Sequence, residues 1–143
     1  MTCHRTTSAA ETEALGERLG RVIPRGSVIG LSGDLGAGKT AFVRGFARGL
    51  GCSGRAHSPT FALINEYQGG RCRLFHLDLY RLRGPEDIRG AGLEEYLVAP
   101  DGIAVVEWIE RWCEDGPTPG VRRLRFETVD ESTRDIRDDD AGT

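Results

Sequence analysis

The run Ser27-Val-Ile-Gly-Leu-Ser-Gly33-Asp-Leu-Gly-Ala-Gly-Lys-Thr40-Ala-Phe-Val-Arg-Gly-Phe-Ala-Arg-Gly-Leu50 decides the fold. Its first six residues are mostly apolar and include β-branched side chains, which predicts a buried strand. Gly33 to Thr40 reads G-x-x-x-x-G-K-T, the phosphate-binding P-loop pattern. Beyond it, Phe42, Val43, Phe46 and Leu50 recur at helical spacing, with Arg44 and Arg48 on another face. Strand, glycine-rich turn and helix are the context that the pattern requires. Gly33, Gly36 and Gly38 allow backbone angles that a Cβ would forbid, so successive N–H groups can point at phosphate oxygens. The helix N-terminus adds partial positive charge, and the Thr40 hydroxyl suits Mg²⁺.

Composition reinforces the motif. Lys39 is the one lysine against eighteen arginines. A compact ammonium on a flexible stem can fold back over a tight loop to the β- and γ-phosphates, where a planar guanidinium is too bulky.

A length of 143 residues suits one domain with a real core. The net charge of −3 argues against a surface that coats nucleic acid. No apolar run is long enough to span a membrane, and the N-terminus lacks the apolar stretch of a signal peptide. Cys3, Cys52, Cys72 and Cys113 form no C-x-x-C pair, which fits a reduced, cytoplasmic setting better than a disulfide framework or a zinc site.

Along the chain, residues 1–7 read as disordered and residues 8–21 as an amphipathic helix, with Ala14, Leu15, Leu19 and Val22 on its apolar face. Residues 51–60 read as a loop ending Ser58-Pro-Thr-Phe61. Ala62–Tyr67 and Cys72–Tyr80 flank a Gly-Gly turn and predict a hairpin. Short helices are expected from Gly84 and over Leu93–Leu97, and strands over Gly102–Trp108 and Val121–Val129. Residues 130–143 carry Asp138-Asp-Asp140 and read as an acidic flexible tail. The expected organisation is one nucleotide-binding domain over residues 8–129. Its class is α/β: a three-layer P-loop NTPase-like fold with a mostly parallel central sheet and an antiparallel hairpin.

Ligands of open α/β sheets bind at the carboxyl ends of the strands. Glu107 closes the apolar run Ile103–Val106, and Asp78 closes Leu74–Leu77. With Thr40 they make a plausible oxygen-ligand site for a hard cation. A strand-end cap at Asp78 and a surface ion pair at Glu107 are the structural alternatives. His76 shares a face with Asp78 by period two and reads as structural. Thr60 follows a proline in the loop after the P-loop helix, where a threonine can sense a γ-phosphate; Ser-Pro-Thr is also an ordinary turn. Trp108 either borders a nucleotide or packs.

Together these motifs resemble the TsaE (YjeE) family, small P-loop ATPases of bacterial tRNA threonylcarbamoyladenosine synthesis. The likeness is carried by Gly33–Thr40, Ser58-Pro-Thr-Phe61, His76-Leu-Asp-Leu-Tyr-Arg-Leu82 and Val106-Glu-Trp108, with Leu15-Gly-Glu-Arg-Leu19 also fitting. It runs from about residue 8 to 110 and fades beyond Trp112. The resemblance implies an ATP- and Mg²⁺-dependent ATPase, slow alone, that works with TsaB- and TsaD-like partners. Its tRNA substrates read codons starting with A and are met indirectly, through the complex. It also implies that Gly36, Ala37, Gly38, Lys39, Thr40 and Ala41 hold the phosphates and that Thr40 and Glu107 bind Mg²⁺. Asp78 supports hydrolysis, Thr60 belongs to a switch-like loop, and the adenine lies near Ala10.

Two other readings stay open. A small-molecule kinase needs an acceptor pocket and usually an arginine-bearing lid; Arg81, Arg83 and Arg89 are available, but no long insert is. A GTPase-type switch needs N-K-x-D, which a chain with no second lysine cannot contain.

Overall fold

The computed structural model describes residues 2–33, 38–56, 63–113 and 118–139. An eight-stranded sheet has helices on both faces, the three-layer α/β arrangement expected. In chain order the elements are β1 (Thr2–Thr6), α1 (Ala9–Val22), β2 (Val28–Gly33), α2 (Lys39–Leu50), β3 (Gly54–Ala56), β4 (Ile64–Gln68) and β5 (Leu74–Asp78). They continue with α3 (Pro85–Gly90), α4 (Glu94–Val98), β6 (Ile103–Glu107), a 3-10 turn (Ile109–Arg111), β7 (Val121–Thr128) and β8 (Arg134–Asp139). The strand order is β1-β8-β7-β2-β6-β5-β4-β3.

The four central strands β7, β2, β6 and β5 run parallel, while β3–β4–β5 and β7–β8–β1 are antiparallel flanks. Strand β6 lies between β2 and β5, and its Ile103, Ala104, Val105 and Val106 are all fully buried. A strand covered on both faces has no use for alternation, which is why it reads as a continuous apolar run. Leu74, Ile103, Val105, Ile29, Leu31, Leu124 and Phe126 point to the α1–α2 side, packing against Phe42, Val43 and Phe46. Phe75, Leu77, Ala104, Val106 and Val28 pack on the other side, with Ile88, Leu93 and Leu97 of the short helices and Ile109.

Helix α1 starts at Ser8, whose Oγ accepts the Glu11 N–H at 3.1 Å, an N-cap. Its buried face differs from the apolar one read from sequence: Val22 is 74% exposed, while Thr12, Leu15, Gly16 and Gly20 are buried. The reason lies in how α1 meets α2. A Cβ on Gly16 would stand 2.2 Å from the Phe42 carbonyl oxygen, and one on Gly20 would stand 2.4 Å from that of Phe46. In return, a Cβ on Gly45 would stand 1.8 Å from the Glu13 oxygen, and one on Gly49 would stand 2.2 Å from that of Glu17. The two helices therefore touch backbone to backbone through four glycines. The arginines of α2 lie beside this seam, Arg48 donating to Glu13 at 2.9 Å.

Both chain ends depart from expectation. Residues 2–6 form β1 rather than a disordered arm, and residues 134–139 form β8 rather than a flexible tail. Charge hid these strands. In β8 the inward positions are Ile136, fully buried, and Asp138, only 6% exposed. Asp138 accepts two hydrogen bonds from Arg122 on β7, at 2.6 and 2.9 Å. Arg5 on β1 grips Asp135 the same way, at 2.7 and 2.9 Å. Such bidentate pairs supply cross-strand contacts that apolar side chains would otherwise make. Strand β3 likewise falls inside the segment read as loop.

The glycine seam predicts an asymmetry between two Gly→Ala changes. Gly45→Ala has to push two helices apart and should cost at least ~1–3 kcal/mol of stability. Gly90→Ala, at the end of α3 with nothing within 4 Å of the added Cβ, should be neutral or stabilising by ~0.4–1 kcal/mol. Urea unfolding of the two variants checks this; equal stabilities would contradict the close contact.

Candidate functional site

Three parallel strands lie in register near their carboxyl ends. Leu31 of β2 is the register partner of Glu107 on β6, and Glu107 is the partner of Asp78 on β5. Parallel pairing with this register aligns the carboxyl ends, so both acids stand beside the point where the chain leaves β2 for the glycine-rich turn. Register partners share a face, and here it is the α1–α2 face, because Leu74, four positions before Asp78, and Val105, two positions before Glu107, pack there.

The turn itself is described at its two ends. Gly33 has φ +128° and sits so close to β7 that a Cβ would be 2.1 Å from the Phe126 carbonyl oxygen. Gly38 has φ +95° and forms the N-cap of α2, with no side-chain cap for the orphan N–H groups of the first turn. Exposed donors at a helix N-terminus suit an anion. Gly36, Ala37 and Thr60 lie outside the described residues, so the expectations placed on them have no geometry here.

Lys39 is 6% exposed. Its Nζ turns back and donates to the Gly33 carbonyl at 3.0 Å. The same Nζ lies 5.6 Å from the centre of the Trp108 ring, within cation–π reach. Among the described residues the ammonium is thus held by a neutral carbonyl and a ring face, with the Glu107 carboxylate close enough to feel its charge. Thr40 follows on the exposed side of the first turn, and Ala41 is buried beneath it. Ala10 sits in the first turn of α1. Two residues on, Thr12 lies 3.4 Å from the position of a Cβ on Gly38, so the start of α1 borders the start of α2.

Trp108 makes several ring contacts at this turn. It follows Glu107 directly in the left-handed region at φ 60°, the one non-glycine among the described residues with positive φ. Besides Lys39, its ring meets Tyr80, with centroids 4.9 Å apart, and the Arg111 guanidinium at 5.2 Å. Backbone strain of this kind persists where surrounding contacts over-determine it. Here they comprise Lys39, Arg111 and Tyr80, with Ile109 anchored against Gly30, where a Cβ would meet it at 2.6 Å. Ser32, Gly33, Trp108, Glu110, Arg125 and Glu127 line a cleft of about 410 Å³ next to this turn.

The acids differ in their surroundings. Asp78 accepts the Tyr80 N–H at 3.0 Å through Oδ1, so the strand-end cap read as an alternative is present; among the described residues no hydrogen bond reaches Oδ2. Glu107 is bound at 2.6 Å by His76 Nε2 through Oε2. Burial pushes its carboxyl up, but the hydrogen bond and charge of His76, helped by Lys39, outweigh that and hold it below the usual glutamate range. It is therefore ionised at neutral pH. His76, read from sequence as structural, is the hydrogen-bond partner of Glu107. Period two put it on the Asp78 face, but only the β5–β6 register reveals its partner. Thr40, Asp78 and Glu107 offer hydroxyl and carboxylate oxygens, the donor chemistry of Mg²⁺, which takes one or two carboxylates and completes its shell with water and phosphate.

The chain is similar to known proteins in sequence and, for one, in structure. The family model for threonylcarbamoyl adenosine biosynthesis protein TsaE matches residues 6–136, well past the point near Trp112 where the motif likeness fades. A tRNA threonylcarbamoyladenosine biosynthesis protein TsaE of Synechocystis is 48% identical over 103 residues, covering 70% of this chain and 65% of that protein. The chain thus spans a little under two thirds of that relative's length. A protein of the same description from Aquifex aeolicus is 36% identical over 132 residues, covering 91% of this chain and 90% of its own. The crystal structure of Bacillus subtilis YdiB superposes with a TM-score of 0.73 at 32% identity, covering 94% of this chain and 82% of that one.

The Glu107 environment predicts a pH dependence. Its pKa is lower in the folded than in the unfolded chain, so its ionised form stabilises the native state above the ordinary glutamate value and loses that effect as pH falls through the folded one. The stability gap between the parent and Glu107→Gln should be full at pH 7 and narrow as pH falls from the ordinary glutamate value through the lower folded one. Denaturant unfolding across that range checks it, and a gap independent of pH would contradict the assignment.

Proposed function

The chain belongs to the TsaE family of threonylcarbamoyladenosine biosynthesis proteins, and from that premise we propose that it is an ATP-binding and ATP-hydrolysing accessory subunit of tRNA threonylcarbamoylation. The observation that carries the reading is the buried ammonium of Lys39, folded back on Gly33 at the uncapped start of α2.

In this reading Lys39 exchanges its bond to the Gly33 carbonyl for oxygens of the β- and γ-phosphates. The backbone N–H groups from Gly38 to Ala41 meet the phosphates at the helix start, and Gly36 and Ala37 complete that cradle. Thr40 and Glu107 hold Mg²⁺, which when bound neutralises charge spread over the β- and γ-oxygens. Glu107, already ionised, needs to lose no proton to serve. Asp78 Oδ2 orients the attacking water, Thr60 senses the γ-phosphate, and Trp108 borders the nucleotide. Ala10, in the turn of α1 beside Gly38, lies on the side assigned to the adenine. Hydrolysis then needs little covalent chemistry from the protein, because positioning and charge supply most of the catalysis of phosphoryl transfer.

The wider role rests on the family. TsaB- and TsaD-like partners carry the modification of adenosine beside the anticodon in tRNAs that read codons starting with A, in the cytoplasm. A chain of net charge −3 reaches tRNA through such partners rather than by its own field. No helix among the described residues is long and apolar enough to cross a membrane.

Calorimetry and steady-state hydrolysis test the reading. The parent should bind ATP with Mg²⁺ much more tightly than GTP, and hydrolysis should rise when TsaB- and TsaD-like partners are added. Lys39→Ala should lower hydrolysis about a hundredfold or more. Glu107→Ala should weaken Mg²⁺ dependence and nucleotide affinity together, whereas Asp78→Ala should slow hydrolysis more than binding. Equal ATP affinity in parent and Lys39→Ala would defeat the phosphate cradle.

A further inference from the structure

Resting on the ATPase reading, we propose that His76 is a positioning residue for the magnesium-binding carboxylate: it holds one oxygen of Glu107 so that the other faces the cation beside Thr40. Three observations carry it. First, the contact is short, 2.6 Å from His76 Nε2 to Glu107 Oε2, and both side chains are mostly shielded, at 15% and 16% exposed. An ionised carboxylate can only accept, so His76 Nε2 bears the proton and donates. Second, the two residues are placed by different rows of one register. His76 pairs with Val105 and Asp78 pairs with Glu107, so the His76–Glu107 bond runs diagonally across β5 and β6 toward the strand ends. A bond in that direction fixes the carboxylate's rotation about its last torsion, which is otherwise soft. Third, His76 stands in the same cleft wall as Thr40, the other oxygen assigned to the cation. Asn65 of β4 is its neighbour on the far side.

The chemistry explains why a donor belongs there. Burial works against a charged Glu107, and a carboxylate free to rotate among Lys39, water and a cation would spend part of its time turned away from the metal. A fixed donor removes that freedom. Donors that orient metal-binding carboxylates commonly matter about as much as this, their loss costing about 10–100-fold in metal affinity.

The test uses the full chain and measures ATP affinity by calorimetry in Mg²⁺ and in EDTA, for parent, His76→Ala and His76→Gln. Thermal melting of each variant confirms folding. In His76→Ala the gain in affinity conferred by Mg²⁺ should fall about tenfold, while affinity in EDTA stays within about twofold of the parent. In His76→Gln, whose amide reaches as far as Nε2 and still donates, most of the Mg²⁺ gain should return. Two results overturn the role while leaving the ATPase reading intact: an unchanged Mg²⁺ gain in His76→Ala, or an equal loss in Mg²⁺ and in EDTA. A failure of His76→Gln to recover more than His76→Ala also overturns it. A parent that binds ATP no better with Mg²⁺ than with EDTA overturns both.

Discussion

The parallel pairing of β6 with β2 on one side and β5 on the other is the constraint on which the site rests. That pairing sets Leu31, Glu107 and Asp78 in one row. A slip of one residue would turn Glu107 onto the face covered by α3 and α4 and leave an apolar side chain beside the glycine-rich turn. The register is well specified because β6 is buried on both faces and its four apolar residues each fill a defined place. Core packing and the candidate site are therefore linked directly: the strand that stabilises the sheet also aims its last side chain.

The glycine seam between α1 and α2 provides the second coordinate. Backbone contact at Gly16, Gly20, Gly45 and Gly49 leaves the helices little room to slide, because there is no side chain between them to adjust. The start of α1 is thereby fixed against the start of α2, with Thr12 beside Gly38. Buried Lys39 on α2 and the row of strand ends then meet from two directions, and Trp108 fills the angle between them with its ring toward the ammonium.

Much of this was legible in the sequence. Strand β2, helix α2 and strand β6 declare themselves because apolar runs and the glycine-rich motif reflect burial and backbone geometry, which are local demands. Glu107 and Asp78 followed from their places at the ends of such runs. The chain ends were not legible. Strand β8 contains one apolar residue, Ile136, and is otherwise held by charge pairs with Arg122 on the preceding strand and with Arg5, which lies 130 residues away from its partner Asp135. The seam was missed because a helix that packs through glycines shows a weak apolar stripe, and Val22, which continued that stripe, faces solvent. His76 was placed on the right face yet given no partner, since a bond across β5 and β6 exists only once the strands are in register.

The central claim is that this P-loop site serves tRNA threonylcarbamoylation, and nucleoside mass spectrometry of bulk tRNA from cells depleted of the protein tests it most directly. The account predicts that threonylcarbamoyladenosine falls on depletion, returns when the parent chain is supplied, and stays low when Lys39→Ala is supplied at the same level. An unchanged content of that nucleoside after confirmed depletion, or full recovery with Lys39→Ala, would contradict it.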